Sequence, residues 1–361
     1  MADDVRKRIG VLTFHRCINY GSYWQARCLV EGLRARGHDV MLLNHDSRRV
    51  NWKEARCAFQ PLLPERTARA DFPLYAAKTR KFLAAFDAMP TSPRFPLDQP
   101  EMLPPYDVVV VGSDEVWNQR HPWYGGQATF YGTKVKAGQL VSYAASFGNH
   151  NASEGLEPWW AEQLRNFSSI SVRDENSRQI IVAALGIEPA MVLDPVLQFP
   201  PDSTDVGDGD DGEQAPYLLV YGHNFPDWYR DKVRAWADRQ GLRVVSLGYR
   251  NEWADEQRID AGPHDFARMM RATSAVATNF FHGCVFALIN GKPFACASST
   301  YRNNKVRDLL HGLDGAHHLL DENSVATDYA AALGQPLAPA IGARIEELRR
   351  SSNQYLDHVL A

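Results

Sequence analysis

Several short polar clusters in this chain follow directly on apolar, strand-like runs. Residues 9–14 lead into His15, Arg16, Asn19, Tyr20 and Gly21. Residues 108–111 lead into Gly112-Ser113-Asp114-Glu115-Val116-Trp117-Asn118, and 170–172 into Arg173-Asp174. Residues 274–278 lead into Asn279-Phe280-Phe281-His282-Gly283, and 293–297 into Ser298, Ser299, Arg302, Asn303, Asn304 and Lys305. An arginine after a buried strand either pairs with the next acids or presents its planar fork to a carboxylate or phosphate. A histidine opening a helix beside a glycine is either a structural ring or a proton carrier in positive potential. Asp114 either caps a helix or orients and deprotonates a hydroxyl. Trp117 either packs or stacks on a sugar face. Asn19-Tyr20-Gly21-Ser22 reads as a turn with an N-cap, or as a helix start whose free N–H groups receive a ligand. Arg302, Asn303 and Lys305 are either a solvated loop or part of an anion pocket beside His282.

These clusters need a frame that gathers them. Residues 9–14, an amphipathic helix ending at Gly37 and a strand at 40–43 form one strand–helix–strand unit, which predicts a parallel sheet. Val108-Val109-Val110-Val111 reads as a strand buried on both faces. Residues 48–104 give only one clear helix, near 75–88. The alternation resumes beyond 216, with helices over 227–240, 264–271, 282–290 and 304–312 and strands before and between them. A long amphipathic helix over 340–360 closes the chain. The stretch 199–216 is acidic, Gly-rich and almost free of apolar residues, so it is expected to be a linker or loop. In open parallel sheets ligands bind beyond the carboxyl ends of the strands. Two such rims facing one another predict a cleft between domains.

Length and composition agree. Residues number 361, of which 45% are hydrophobic and 23% charged, and the formal net charge is −4. About two domains follow from a typical size of ~150 residues. No basic field invites nucleic acid, and no apolar run reaches the ~18 residues of a spanning helix. The start of the chain lacks an apolar signal core, so a cytoplasmic location is expected. The five cysteines lack CxxC spacing, which argues against a disulfide framework or zinc clip. GxGxxG, GxxxxGK[ST], GxSxG and HExxH are absent.

The ordered set of pieces resembles the polysaccharide pyruvyl transferase family. The matching pieces are Leu12-Thr13-Phe14-His15 with Asn19-Tyr20-Gly21-Ser22-Tyr23-Trp24-Gln25, and Val110-Val111-Gly112-Ser113-Asp114-Glu115-Val116-Trp117-Asn118. Ser142 to Gly148, Ser171-Val172-Arg173-Asp174 and Val192-Leu193-Asp194-Pro195-Val196 follow. Phe281-His282-Gly283, Asn290 to Phe294 and Arg302 to Lys305 complete the set over about 10–310.

The resemblance implies an α/β protein of two Rossmann-like, doubly wound domains in a GT-B-like arrangement with an interdomain cleft. The expected division is 1–198 (acceptor side, contributing Arg173), a linker at 199–216, 217–335 (donor side) and a terminal helix at 336–361. It implies transfer of a pyruvyl group from phosphoenolpyruvate to two sugar hydroxyls, giving a cyclic ketal and phosphate, with no metal and no cofactor beyond that co-substrate. Acceptors in the family are often carried on lipid, which implies transient contact with a membrane-bound pathway.

The resemblance links Arg173 and His282 to donor binding and catalysis; the chemistry of the reaction then makes His282 the expected acid and Asp114 the group that orients or deprotonates the acceptor. Arg173, Arg302, Lys305, Asn303, Gly283 and His15 are expected on the donor, and Asn19, Tyr20, Ser113, Trp117 and Asn118 on the acceptor. Some members carry an Arg two residues before the His; Phe280 stands there in this chain. Arg302, Lys305 and His15 are therefore expected to supply the missing cation. The alternatives are a GT-B glycosyltransferase using a nucleotide-sugar and a non-catalytic glycan-binding protein on the same scaffold.

Overall fold

The computed structural model describes residues 6–202, 216–298 and 303–361, the side chains of 303 and 304 excepted. Most of the acidic stretch expected as a linker, 203–215, lies outside the described residues, as does Arg302. The strands are β1 Arg8–Leu12, β2 Asp39–Leu42, β3 His45–Asp46, β4 Phe95–Pro96, β5 Tyr106–Val111, β6 Ala137–Ser142, β7 Ser171–Val172 and β8 Ala190–Met191. Then come β9 Tyr217–Tyr221, β10 Arg243–Leu247, β11 Glu256–Arg258, β12 Ala275–Thr278, β13 Phe294–Ala297 and β14 Leu319–Leu320.

Two compact units result. In the first, parallel strands run in the order β2-β1-β5-β6. Parallel β7 and β8 continue beyond β6 through the bridges Val141 to Ser169 and Ala145 to Val172. The valine run of β5 is buried throughout, because a central parallel strand is covered on both faces. In the second unit the order is β11-β10-β9-β12-β13-β14, all parallel. Counted within that unit the order is that of a Rossmann sheet, three strands wound one way from the centre and three the other. Its core is Leu218, Val220, Val244, Ala275, Ala277 and Ala295, covered by helices such as Asp227–Gln240, with Tyr229 and Val233 facing inward.

The unit boundaries differ from those expected in two places. Residues 56–85 belong to the second unit, although the chain on either side of them builds the first. They carry most of the helix Phe72–Asp87, and Asp71 just before it accepts both guanidinium N–H arms of Arg250. Residues 346–361 belong to the first unit. There the helix Pro339–Leu360 places Ser352 Oγ 2.9 Å from the amide of Leu193, while Tyr355 donates to the carbonyl of Ser142 at 2.7 Å. From Glu346 onward the terminal helix is thus part of the first unit's packing rather than a separate element. No helix among the described residues is long and apolar enough to cross a membrane.

Asp71 is almost wholly buried, so removing Arg250 leaves a carboxylate without its counter-charge. Losing one partner of a buried pair typically costs ~3 kcal/mol or more. Arg250→Met is expected to lower unfolding free energy in urea by about that amount. A loss below ~1 kcal/mol, the level of an exposed pair, would show that this contact does not hold 56–85 in place.

Candidate functional site

Each sheet has a point where the chain's winding direction reverses, and crevices form there at the strand carboxyl ends. In the first unit this lies between β1 and β5. The chain leaves β5 through Gly112, whose φ of 113° and approach to Tyr143 exclude a side chain: a Cβ would sit 2.3 Å from that carbonyl oxygen. Asp114 follows with φ 69°, a left-handed conformation uncommon outside glycine. Such conformations persist only where the surroundings over-determine them. Here the backbone of Asp114 is held by Ser146, whose amide donates to the Asp114 carbonyl at 3.0 Å.

The Asp114 carboxylate is gripped as closely as its backbone. Oδ2 accepts from Ser22 Oγ at 3.1 Å, and Oδ1 accepts from the Glu115 amide at 3.0 Å and from Arg173 Nη2 at 3.1 Å. Ser22 stands in the first turn of the helix Tyr20–Ala35, which Asn19 caps by accepting from the Ser22 amide. Arg173 leaves β7 and directs its other arm to Asp194 at 2.6 Å. Its side chain is 2% exposed. Burial opposes the guanidinium's charge, but Asp194 and Asp114 outweigh it and push its pKa up. Asp194 caps the short helix Pro195–Gln198 through the Val196 amide. One buried cation therefore ties together the ends of β5, β7 and β8.

The corresponding point in the second unit lies between β9 and β12. There Gly222-His223 and Asn279-Phe280-Phe281-His282 leave adjacent parallel strands. His282 is in the first turn of the helix Phe281–Ile289, its ring 5.1 Å from that of Phe281. The next residue must be glycine, since a Cβ on Gly283 would meet Thr278 Oγ1 at 2.1 Å. This close approach seats the helix start on the end of β12.

The expected site residues thus separate into groups. Asp114, Arg173 and Asn19 converge on one rim, and His282 with Gly283 lies on the other. Asn303 opens the helix Asn303–Gly312, in which Lys305 also lies. Ser113 is buried and donates to Gln25 Oε1 at 2.8 Å, bracing the rim from below. Asn118 is likewise buried, with Nδ2 on Glu115 and Asn149.

Four expectations are corrected. Trp117 has no exposed surface; it packs on Phe147 and Phe167 and donates to the Phe130 carbonyl, so it is core rather than a sugar platform. Tyr20 is equally enclosed and does not face an acceptor. Arg173 is buried and occupied by two carboxylates, Asp194 and Asp114, so its side chain is not open to clamp a donor. His15 is not a cation: burial lowers its pKa to about 4. Its Nδ1 lies 3.0 Å from His45 Nε2 and its Nε2 3.1 Å from Asn44 Oδ1. Asp194 and Ser22 lie within the family-like motifs, but the sequence alone assigns them no role. An Asp before Pro after an apolar pair is a helix-start signal and was the available clue.

His15 and His45 give a pH prediction. Both folded-state pKa values lie below the ordinary ~6.5, so below that pH the unfolded chain binds protons that the folded chain refuses. Stability is complete above ~6.5 and falls as pH drops toward the folded values, by at most ~1.4 kcal/mol per pH unit per histidine. Urea midpoints are expected to fall between pH 7 and pH 5, and the double change His15→Gln, His45→Gln to flatten that slope. An unchanged slope would contradict the neutral pair.

The sequence profile of the family described as polysaccharide pyruvyl transferase matches residues 19–301. Among curated proteins none matches the chain in sequence. Several solved structures share the fold. A UDP-L-rhamnose complex of Arabidopsis thaliana UGT89C1 is 12% identical, with 99% of each chain covered and a TM-score of 0.50. The UDP-GlcNAc 2-epimerase of Neisseria meningitidis, bound to UDP-GlcNAc, is 10% identical, covering 96% of this chain and 99% of its own, with a TM-score of 0.50. The UDP-GlcNAc 2-epimerase of Methanocaldococcus jannaschii is 12% identical over 91% and 92%, again with a TM-score of 0.50. At such identities the likeness concerns the fold, an α/β architecture of two Rossmann-like units. The family profile reaches further, because it spans β5 with Asp114, β7 with Arg173 and the helix start with His282: this chain is a member of the polysaccharide pyruvyl transferase family.

Proposed function

We propose that the chain moves the pyruvyl group of phosphoenolpyruvate onto two hydroxyls of one glycan sugar, in the cytoplasmic assembly of a surface polysaccharide. The acceptor is a sugar or a lipid-linked oligosaccharide. The observation that carries this reading is the family match across both rims, one holding a fixed carboxylate and the other a histidine at a helix start.

The chemistry suits those groups. Protonation of the donor's methylene carbon makes C3 a methyl group and leaves an oxocarbenium-like centre at C2. One sugar hydroxyl attacks C2 and loses its proton. The bond from C2 to the phosphate oxygen then breaks, and the second hydroxyl closes the ketal. Of the two hydroxyl protons, one replaces the proton given to C3 and the other leaves with phosphate. In this reading His282 delivers the proton to C3 or to the departing phosphate. Its place in the first turn of a nine-residue helix adds the partial positive charge of unpaired N–H groups, which favours an anionic donor. Asp114 receives or aligns an acceptor hydroxyl, with its orientation fixed by Ser22 and Arg173.

Incubating the purified chain with phosphoenolpyruvate and lipid-linked glycan tests the reading. Release of inorganic phosphate with a ketal on the glycan is expected. Nucleoside diphosphate released from a nucleotide-sugar instead would assign glycosyl transfer, and neither product would assign glycan binding alone. A positioned proton donor is typically worth ~10²–10⁴ in rate. His282→Ala is expected to lose at least ~100-fold in kcat; a folded variant losing less than ~10-fold would remove the acid role.

A further inference from the structure

The donor in the proposed reaction carries a carboxylate and a phosphate, and the second unit's rim needs a cation to receive them. None of the sequence clusters pointed to Lys78, which lies in the helix Phe72–Asp87 within the segment that joins the second unit. Lys78 is 3% exposed. Its Nζ donates to the carbonyl of Gly248 at 2.9 Å and lies 4.5 Å from the ring centroid of Tyr249. Gly248 and Tyr249 leave the carboxyl end of β10, next to β9. The Tyr249 ring lies 5.0 Å from His223 and 5.6 Å from Phe280, and those two rings are 5.3 Å apart. One aromatic layer therefore links the ammonium to the ends of β9, β10 and β12, and Phe280 is the N-cap of the helix that carries His282.

Asn279 stands on the same rim, at the end of β12. Asn279 is 5% exposed and donates through Nδ2 to the carbonyl of His223 at 2.8 Å. Its Oδ1 is buried and has no hydrogen-bond partner among the described residues. A buried acceptor left in this way is costly unless a water or hydroxyl arrives to donate to it. The lysine is costly in the same sense. An alkyl side chain would fill the position without a buried amine to solvate, and burial lowers the Lys78 pKa from its ordinary value to about 7. An arriving anion stabilises the charged form of such an amine.

We propose that Lys78 binds the anionic end of the donor at the carboxyl rim of the second unit. The proposal rests on the phosphoenolpyruvate reading. Residues 56–85 then have a function as well as a packing role, since they deliver a cation to this rim.

The test is direct binding of phosphoenolpyruvate to the full chain by calorimetry, which needs no acceptor. Lys78→Gln keeps a donor for the Gly248 carbonyl and removes the charge, and Lys78→Arg keeps the charge. Lys81→Met is the control one turn along the same helix, where Lys81 pairs with Asp265 at 2.8 Å. The proposal expects at least ~10-fold weaker binding in Lys78→Gln, the loss expected of one charge-assisted contact, with Lys78→Arg and Lys81→Met close to wild type. Wild-type affinity in a folded Lys78→Gln would overturn the role of Lys78 and leave the donor assignment standing. A wild-type chain that binds a nucleotide-sugar and not phosphoenolpyruvate would overturn both. Should Lys78→Gln not fold, acylation of wild-type amines gives the decision: phosphoenolpyruvate must slow modification of Lys78 and leave Lys81 unchanged, and equal rates overturn the proposal.

Discussion

A guanidinium enclosed between two carboxylates organises the first unit. Arg173 cannot be buried without counter-charge, and Asp194 and Asp114 supply it from the ends of two other strand segments. Breaking such a pair is expensive because it strands a charge out of water. The same geometry orients a side chain. Asp114 sits in a left-handed conformation behind a glycine that no other residue could replace, and its carboxylate oxygens are fixed by Ser22 and Arg173. The buried pair is thus the support and the carboxylate what is supported.

The second unit solves the same problem differently. Its rim is aromatic, with Tyr221, His223, Tyr249 and Phe280 packed at steep angles, and Lys78 reaches it from a helix inserted from elsewhere in the sequence. In both units the candidate groups stand where the sheet's winding reverses. That placement follows from topology: parallel strands joined in opposite directions leave a gap at their carboxyl ends that helices do not cover.

Much of this was legible in the residues. The valine run of β5 could only be a buried strand, and the helix Asp227–Gln240 was readable from its period and the glycine that ends it. The strand-to-loop junctions placed Asp114, Arg173 and His282 at the right ends of the right strands. Burial was not legible. Trp117 and Tyr20 belong to residue types that serve equally as platforms and as core, and only packing decides between them. His15 reads as a cation until its neighbours are known. β11, with the sequence Glu-Gln-Arg, carries no apolar pattern because it is a short edge. The allegiance of 56–85 shows only in contacts such as those of Asp71 with Arg250, Lys78 with Gly248 and Lys81 with Asp265, residues far apart in the chain. Lys78 in an amphipathic helix looks like any solvated lysine.

The account stands on Arg173 and Asp114 acting as one device. A double-mutant cycle on turnover, read as phosphate released from phosphoenolpyruvate, tests this most directly. With Arg173→Met, Asp114→Asn and the two combined, the double variant is predicted to be no slower than the worse single variant, as for groups that work as a unit. Losses that multiply in the double variant would mean that the two residues act independently, and that the buried arginine does not position the aspartate.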